Sequence, residues 1–268
     1  MEARGTGKKE TDREVVLSDR LRMLAGMVTP GNRLADVGCD HGFLSIYLVQ
    51  RGICPGALAM DVREGPLAAA REHVKDCGLE NYISLRLSDG LDACGQGEAD
   101  TLVCAGMGGR LMERILRRGM ERAREMKELI LQPQSELAGF RAFLRETGFT
   151  VTWEDAVRED GKYYFAMKAS CRRGSPGGNV SEKGVESGCI PTSGCGLYDL
   201  YGKILLEGCH PVLLRYLKER EELVGRLADG LARSSGSPKA QARLEEVRGE
   251  LAGIEQALAF FEHSGGRM

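Results

Sequence analysis

Nine cysteines are scattered through 268 residues without one CxxC pair. An odd number with no paired spacing argues against a structural zinc site and against a secreted disulfide framework. The thiols read instead as reduced, mostly buried small apolar residues. No stretch approaches the roughly 18 consecutive apolar residues that suggest a membrane span. The opening MEARGTGKKETDREVV is charged and holds no apolar core of a signal peptide, so a cytoplasmic protein is expected. An excess of one charge is also missing: the formal net charge is −2, and a nucleic-acid partner would have to be held by a local basic patch. There is no internal repeat and no G-x-G-x-x-G. The composition that remains, 42% apolar and 28% charged, is that of an ordinary globular chain, long enough for one substantial domain and an appendage.

The order of elements points to an α/β fold. Residues 1–14 read as a polar tail. Leu17, Leu21, Leu24 and Val28 then recur at helical spacing behind Ser18, a suitable N-cap, and Pro30-Gly31 ends that helix. From Arg33 the pattern alternates. RLADVG, GALAMDV, YISLRLSDG, ADTLVCAG and ELILQP read as strands. GFLSIYLVQRG, GPLAAAREHVKDCG (closed by Gly78), SELAGFRAFLRETG and one long basic stretch, GRLMERILRRGMERAREM, read as helices. FTVTWEDAV and KYYFAMKA flank REDG as an antiparallel hairpin. Strand–helix repetition predicts a doubly wound, mostly parallel sheet over residues 15–170, which the hairpin makes mixed. Residues 171–196 are rich in glycine, serine and charge and read as a long loop. Over residues 197–263 two helical stretches follow. One carries Leu213, Leu217, Val224, Leu227 and Leu231. The other carries Leu244, Val247, Leu251, Ile254, Leu258 and Phe261, and starts at Ser237-Pro238. An antiparallel helical hairpin is expected, its apolar stripe packed on itself, on the sheet or on a partner.

In open parallel sheets, ligands bind beyond the carboxyl ends of the strands. RLADVGCDHGFLSIYL places Gly38 and Gly42 at the first such turn, where bare backbone lets a ligand approach the free N–H groups of a helix start. The spacing is D-x-G-x-x-x-G, and Asp36 and Asp40 stand where a pyrophosphate would need neutral or positive surroundings. A ligand with a cationic end is favoured. S-adenosylmethionine fits, with its ammonium, its sulfonium and no phosphate, although a plain tight turn also explains the glycines. Asp61, with Val62 beside it, closes the second strand about where a ribose-hydroxyl acceptor stands in nucleotide-binding sheets. Asp89, before Gly90, can accept from an adenine amino group or serve only the turn. The fourth strand ends in AGMGG, Ala105 to Gly109, whose glycines would admit a methyl donor and a flat acceptor. Gln132 and Gln134 in LQPQ carry amides suited to a base edge.

At this point the residues match a known pattern. LSDRLRMLAGMV, ADVGCDHGFLSIYLV, GPLAAA, SDGL, AGMGG, LQPQ and EDGKYY together resemble the bacterial TrmK family over roughly residues 16–170, and more weakly through LYDLYGKILL into the C-terminal helices. The resemblance implies a Rossmann-like class I methyltransferase domain with a seven-stranded sheet, followed by a helical, coiled-coil-like domain. It also implies S-adenosyl-L-methionine as methyl donor and N1 of adenosine at position 22 of tRNA as acceptor. The charged tail, the glycine-rich loop and Lys203, where proline is expected, depart from the pattern.

On this reading Asp36, Gly38, Asp40, His41, Gly42, Asp61, Val62, Asp89, Gly90, Ala105 and Gly106 hold the cofactor. Gly106, Met107 and Gln132 position the acceptor, and Asp40 stabilises the charge that the product ring gains. His41 is either a packed or solvated first-turn residue or a proton-handling group. Arg20, Gly108, Gly109, Arg110, Gln134, Arg117 and Arg118 are the candidates for holding tRNA. Arg114, Arg122, Arg124, Arg172 and Arg173 are further basic residues, and the arginine-rich helix is alternatively an ordinary salt-bridged surface. The target base has to be unstacked from its arm to be reached. No metal and no membrane partner are expected, and the chain is expected to be a monomer. A small molecule or protein as acceptor, or a non-catalytic RNA-binding module, are the competing readings.

Overall fold

A computed structural model describes residues 14–171, 196–233 and 237–264. The expected tail up to Arg13 and most of the expected loop, with Arg172 and Arg173, lie outside the described residues. The first helix, α1 (Asp19–Met27), begins as its spacing predicts, with Ser18 Oγ accepting from the Leu21 N–H and Leu24, Ala25 and Met27 turned inward.

Seven strands form one sheet: β1 (Leu34–Val37), β2 (Ala57–Asp61), β3 (Ile83–Leu87), β4 (Thr101–Met107), β5 (Glu128–Pro133), β6 (Phe149–Glu159) and β7 (Lys162–Cys171). Their order is β3-β2-β1-β4-β5-β7-β6. The first five run parallel, and β7 pairs antiparallel with both β5 and β6. Every residue of β1, β2 and β5 is buried, as expected for central strands covered on both faces. Alternate side chains enter two separate apolar layers. Ala35, Val37, Leu102, Cys104, Leu129 and Leu131 join one, against α4 (Gly109–Arg118), α5 (Met120–Glu125) and α6 (Leu137–Glu146). Leu34, Val103 and Ile130 join the other, against α1, α2 (Phe43–Gln50) and α3 (Glu64–Asp76).

The long basic helix is in fact two. The chain breaks at Gly119, where an added β-carbon would lie 2.8 Å from Leu91 Cβ. The close approach to Leu91 interrupts the helix between Arg118 and Met120, which periodicity alone does not reveal. The hairpin turns on Asp160 (φ 49°) and Gly161 (φ 76°). Two central residues with positive φ match the twist of the flanking strands; β7 starts at Lys162 as expected, and β6 runs on to Glu159, two residues further than the apolar pattern indicates.

The C-terminal part comprises α7 (Leu197–Tyr201), α8 (Lys203–Glu207), α9 (Pro211–Arg233) and α10 (Pro238–Ser264). Lys203 is the first residue of α8, a position where proline is favoured, and its ammonium faces Glu207 one turn on. Ser237 Oγ accepts from the Ala240 N–H, so α10 starts where the Ser-Pro pair indicates. Leu213, Leu217, Val224, Val247 and Ile254 are buried along the helical pair, and Leu231, Leu251, Leu258 and Phe261 pack at its margin. Leu227 does not join them. It is 46% exposed, and Ala228, one turn after Val224, takes the inward position. The stripe packs on itself and, at its base, on Ala156 of β6 and Phe165 of β7. Buried Arg141 clamps the junction. It donates to Glu154 Oε1 at 2.9 Å and to the Asp199 carbonyl at 2.9 Å, while Glu154 Oε2 accepts the Ile204 N–H. Of the seven described cysteines, Cys39, Cys54, Cys77, Cys94 and Cys104 are buried. No described helix is long and apolar enough to cross a membrane.

Candidate active site

The strand order reverses between β1 and β4, and the two helices that follow them leave the sheet on opposite faces. A crevice opens beyond the carboxyl ends of the strands there. It holds a cavity of about 660 Å³. From the predicted set, Arg20, Asp36, Gly38, Asp40, His41, Asp61, Val62, Asp89, Gly90, Ala105, Gly106, Met107 and Gln134 line it. Arg114, one of the further basic residues, also lines it, as do Phe43, Arg63, Ser88, Leu111 and Ile115, which were not singled out from the sequence. Phe43 follows Gly42 directly and Arg63 follows Val62, so proximity to the turns was the available signal.

Two acids form the floor. Asp36 is 5% exposed and accepts from Ser45 Oγ at 2.8 Å. Burial pushes its pKa up to about 6, the Ser45 bond pulls it down, and the neighbouring charge of Asp61 raises it further. Asp61 accepts the Arg63 N–H at 2.9 Å on Oδ1 and the Asp40 N–H at 3.4 Å on Oδ2. These bonds to backbone fix the carboxylate at the strand end, with lone pairs still free. Beyond it the Val62 side chain stands 61% exposed on the cavity wall.

The first turn explains its two glycines differently. Gly38 has φ +75°, and Met107 Cε occupies the place its β-carbon would take. Gly42 has φ +73°, but its β-carbon would lie 3.2 Å from Ala70 Cβ of α3. Gly42 serves the packing of α2 on α3 and is not part of the cavity wall. Asp40, also left-handed with φ +51°, is exposed on the rim. His41 Nε2 lies 3.8 Å from Asp40 Oδ2, and the His41 carbonyl faces His73 Nδ1 at 3.0 Å. Phe43 stacks on His73 with ring centroids 4.7 Å apart. Gly90 is held by α4, whose Ile115 Cγ2 lies 2.9 Å from where its β-carbon would be.

The AGMGG turn divides in the same way. Gly106 (φ +77°) is exposed between Arg20 Nη1 and Gln134 Nε2, which would stand 3.6 and 3.9 Å from a β-carbon there. Gly108 and Gly109 are not at the cavity. Their missing side chains admit the β5–α6 loop, with Ser135 Oγ 3.1 Å and Ser135 O 2.6 Å from the respective β-carbon positions.

Gln132 is fully buried and does not reach the wall. Its Oε1 accepts from Arg20 Nη1 at 3.2 Å, so it acts on the cavity through Arg20. Arg20 is held further by its own N–H donating to Glu159 Oε2 at 2.9 Å and by the Tyr164 ring, 5.6 Å away. The hairpin motif EDGKYY thus supplies two of the groups that set Arg20.

Arg110, Arg117 and Arg118 are not brought to the cavity either. Arg110 pairs with Glu136 at 2.5 Å. Arg117 donates to Glu113 at 2.9 Å and lies 4.7 Å over the Phe143 ring. Arg118 binds Asp89 Oδ2 at 2.6 Å and pairs with Asp92. Asp89 therefore meets the cavity with one oxygen engaged. Glu113 holds Arg117 from one turn away on the same helix, whereas Glu136 before α6 holds Arg110, and Asp89 and Asp92 after β3 hold Arg118.

Comparison with known proteins bears on the same region. The chain is 36% identical over 156 residues to the Bacillus subtilis (strain 168) protein named tRNA (adenine(22)-N(1))-methyltransferase, covering 58% of this chain and 66% of that relative. The match thus spans just under two thirds of that relative's length. The crystal structure of the B. subtilis M1A22 tRNA methyltransferase TrmK superposes with a TM-score of 0.74 at 26% identity, over 91% of this chain and 99% of that one. A Streptococcus pneumoniae protein crystallised in complex with S-adenosyl-L-methionine gives a TM-score of 0.74 at 28% identity, over 91% of this chain and 100% of that one. Residues 17–167, more than half of the chain, match the family described as a methyltransferase domain; the protein belongs to that family, and the TrmK likeness of its motifs is borne out by the relatives it matches.

Proposed function

We propose that this protein transfers the methyl group of S-adenosyl-L-methionine to N1 of an adenine in tRNA, at position 22. The observation that carries the proposal is the acid floor. Asp36 is a nearly buried carboxyl on the cavity floor whose one described hydrogen-bond donor is a neutral hydroxyl, and a cationic ligand end is what would compensate its charge. A pyrophosphate there would set like charges together. The Bacillus subtilis relative's name and the cofactor bound by the Streptococcus pneumoniae protein support the same reading.

The cofactor, when bound, supplies a methyl group already activated on a sulfonium. The chain's task is to orient the partners and exclude water, and orientation alone contributes roughly 7–11 kcal/mol to such a reaction. In the proposed roles Asp36 faces the cationic end, Asp61 accepts from ribose hydroxyls, and the free oxygen of Asp89 accepts from the adenine amino group. Val62 and Ile115 offer apolar surface to a flat ring. On the acceptor side Gly106 presents bare peptide groups, and Gln134 offers both a donor and an acceptor to a base edge. Met107 sets the depth to which the base enters. Neutral adenine N1 presents its own lone pair, so no strong base is needed. The product ring gains positive charge, which Asp40 at the rim stabilises. Gln132 positions Arg20 and touches nothing that reacts. The target adenine leaves its stack to enter. We assign catalysis to residues 15–170 and an extension of the RNA-binding surface to residues 197–263, in a cytoplasmic monomer.

The test is mass analysis, with position mapping, of tRNA incubated with the protein and S-adenosyl-L-methionine. One added methyl on adenine 22 is expected. Unmodified adenine throughout the tRNA would defeat the proposal.

A further inference from the structure

The arginines of α4 and α5 are not equivalent. Arg110, Arg117 and Arg118 are held by carboxylates. Arg122 and Arg124 donate to the carbonyls of Cys94 and Thr147 at 2.7 and 3.2 Å. Arg114 lines the cavity and is exposed, and its side chain has no hydrogen bond or ion pair among the described residues. The other two cations of the cavity wall are engaged, Arg20 by Gln132 and Arg63 by Asp61 at 3.7 Å. Three positions before Arg114 on the same helix face, Leu111 stands 38% exposed on the cavity lip.

An apolar side chain and an unpaired guanidinium one turn apart at a cavity mouth match the two halves of a nucleotide, a flat or sugar surface and a phosphate. We propose that Arg114 anchors a backbone phosphate of the nucleotide being methylated, with Leu111 against its sugar or base. The inference rests on the RNA-acceptor reading above and assigns the phosphate contact to one residue of six. The planar fork of arginine suits a phosphate, which it grips with two parallel bonds. A contact to the cofactor's carboxylate is the competing use. It is disfavoured by position, since the next residue, Ile115, packs on Gly90 after β3, whereas the acid floor that would face the cofactor's cationic end lies at β1.

The experiment compares the full-length protein with Arg114→Ala and Arg114→Lys, using a tRNA transcript and S-adenosyl-L-methionine. For Arg114→Ala the KM for tRNA should rise about 10-fold, the size of a lost charge-assisted contact, with kcat changed less than threefold and cofactor Kd unchanged. The slope of log affinity for tRNA against log salt should become shallower by about 0.7–0.9, the loss of one phosphate contact. Arg114→Lys should restore the salt slope and only part of the affinity, because charge returns without the fork. An unchanged KM and slope in an enzyme that does methylate tRNA would overturn this inference alone. A weakened cofactor Kd with unchanged tRNA affinity would place Arg114 on the cofactor and also overturn it. A wild-type protein that binds cofactor yet neither binds nor methylates tRNA would overturn the RNA reading itself.

Discussion

Arg20 and Gln132 lie 112 residues apart in sequence and meet through one hydrogen bond of 3.2 Å behind the cavity wall. Gln132 has no exposure, so on the proposed function it acts on the acceptor through the guanidinium it holds. Replacing Gln132 by Leu should lower kcat/KM for tRNA about 10-fold and leave cofactor Kd within twofold, with a stability loss of about 1 kcal/mol from the lost bond. Steady-state kinetics, calorimetry and denaturant unfolding measure the three. A cofactor Kd that rises in parallel would show that Gln132 supports the floor instead.

Asp36 predicts a pH dependence. Its folded pKa, about 6, stands above the ordinary 3.8. An acid raised in this way costs nothing below the unfolded pKa. Its cost grows between about pH 4 and 6 and is fully present above, where a shift of about two units corresponds to roughly 3 kcal/mol. Asp36→Asn should therefore be more stable than the wild type at pH 7.5 and equal to it near pH 4, by urea unfolding at both. A cationic ligand favours the ionised carboxylate, so affinity for S-adenosyl-L-methionine should rise from pH 5 to pH 7 with release of a proton. That rise should vanish in Asp36→Asn. An affinity that is flat across this range in the wild type would contradict the assignment.

Gly38 and Met107 predict a coupling. Gly38→Ala adds a β-carbon at φ +75°, against Met107 Cε. The backbone term alone costs about 1–2 kcal/mol. Adding Met107→Ala should recover the contact part and leave the backbone part, so a double-mutant cycle should give a coupling above about 0.5 kcal/mol. Strict additivity would mean that the thioether moves aside freely.

Arg141 predicts a structural loss. Removing one partner of a buried pair leaves the other charge uncompensated, at about 3–5 kcal/mol. Arg141→Ala should lose that much stability, and protease should then cut first near α7 and α8, whose backbone Arg141 and Glu154 hold. Unfolding within 1 kcal/mol of the wild type would contradict the clamp.

The parallel sheet was legible because its strands are short apolar runs closed by glycine, aspartate or, in β5, Pro133, with helical segments between them. Asp36, Asp61 and Asp89 were legible for the same reason, since strand ends converge whatever the tertiary detail. Tertiary proximity was not legible. Gly42, Gly108, Gly109 and Gly119 answer to Ala70, Ser135 and Leu91, neighbours that only packing supplies. Likewise Arg114 and Arg118 are indistinguishable by composition, and differ because Asp89 and Asp92 stand beside one of them. Leu227 missed the seam because a step of seven from Leu217 to Val224 leaves two phases open, and the smaller Ala228 filled the one that faces inward.

On the proposed function, the acid-floored crevice at the β1–β4 switch holds S-adenosyl-L-methionine. Isothermal titration of the wild type and of Asp61→Ala with that cofactor tests it most directly. One site per chain is predicted for the wild type, weakened about 10-fold or more in the variant. No binding by the wild type, or equal affinity in both proteins, would contradict the claim.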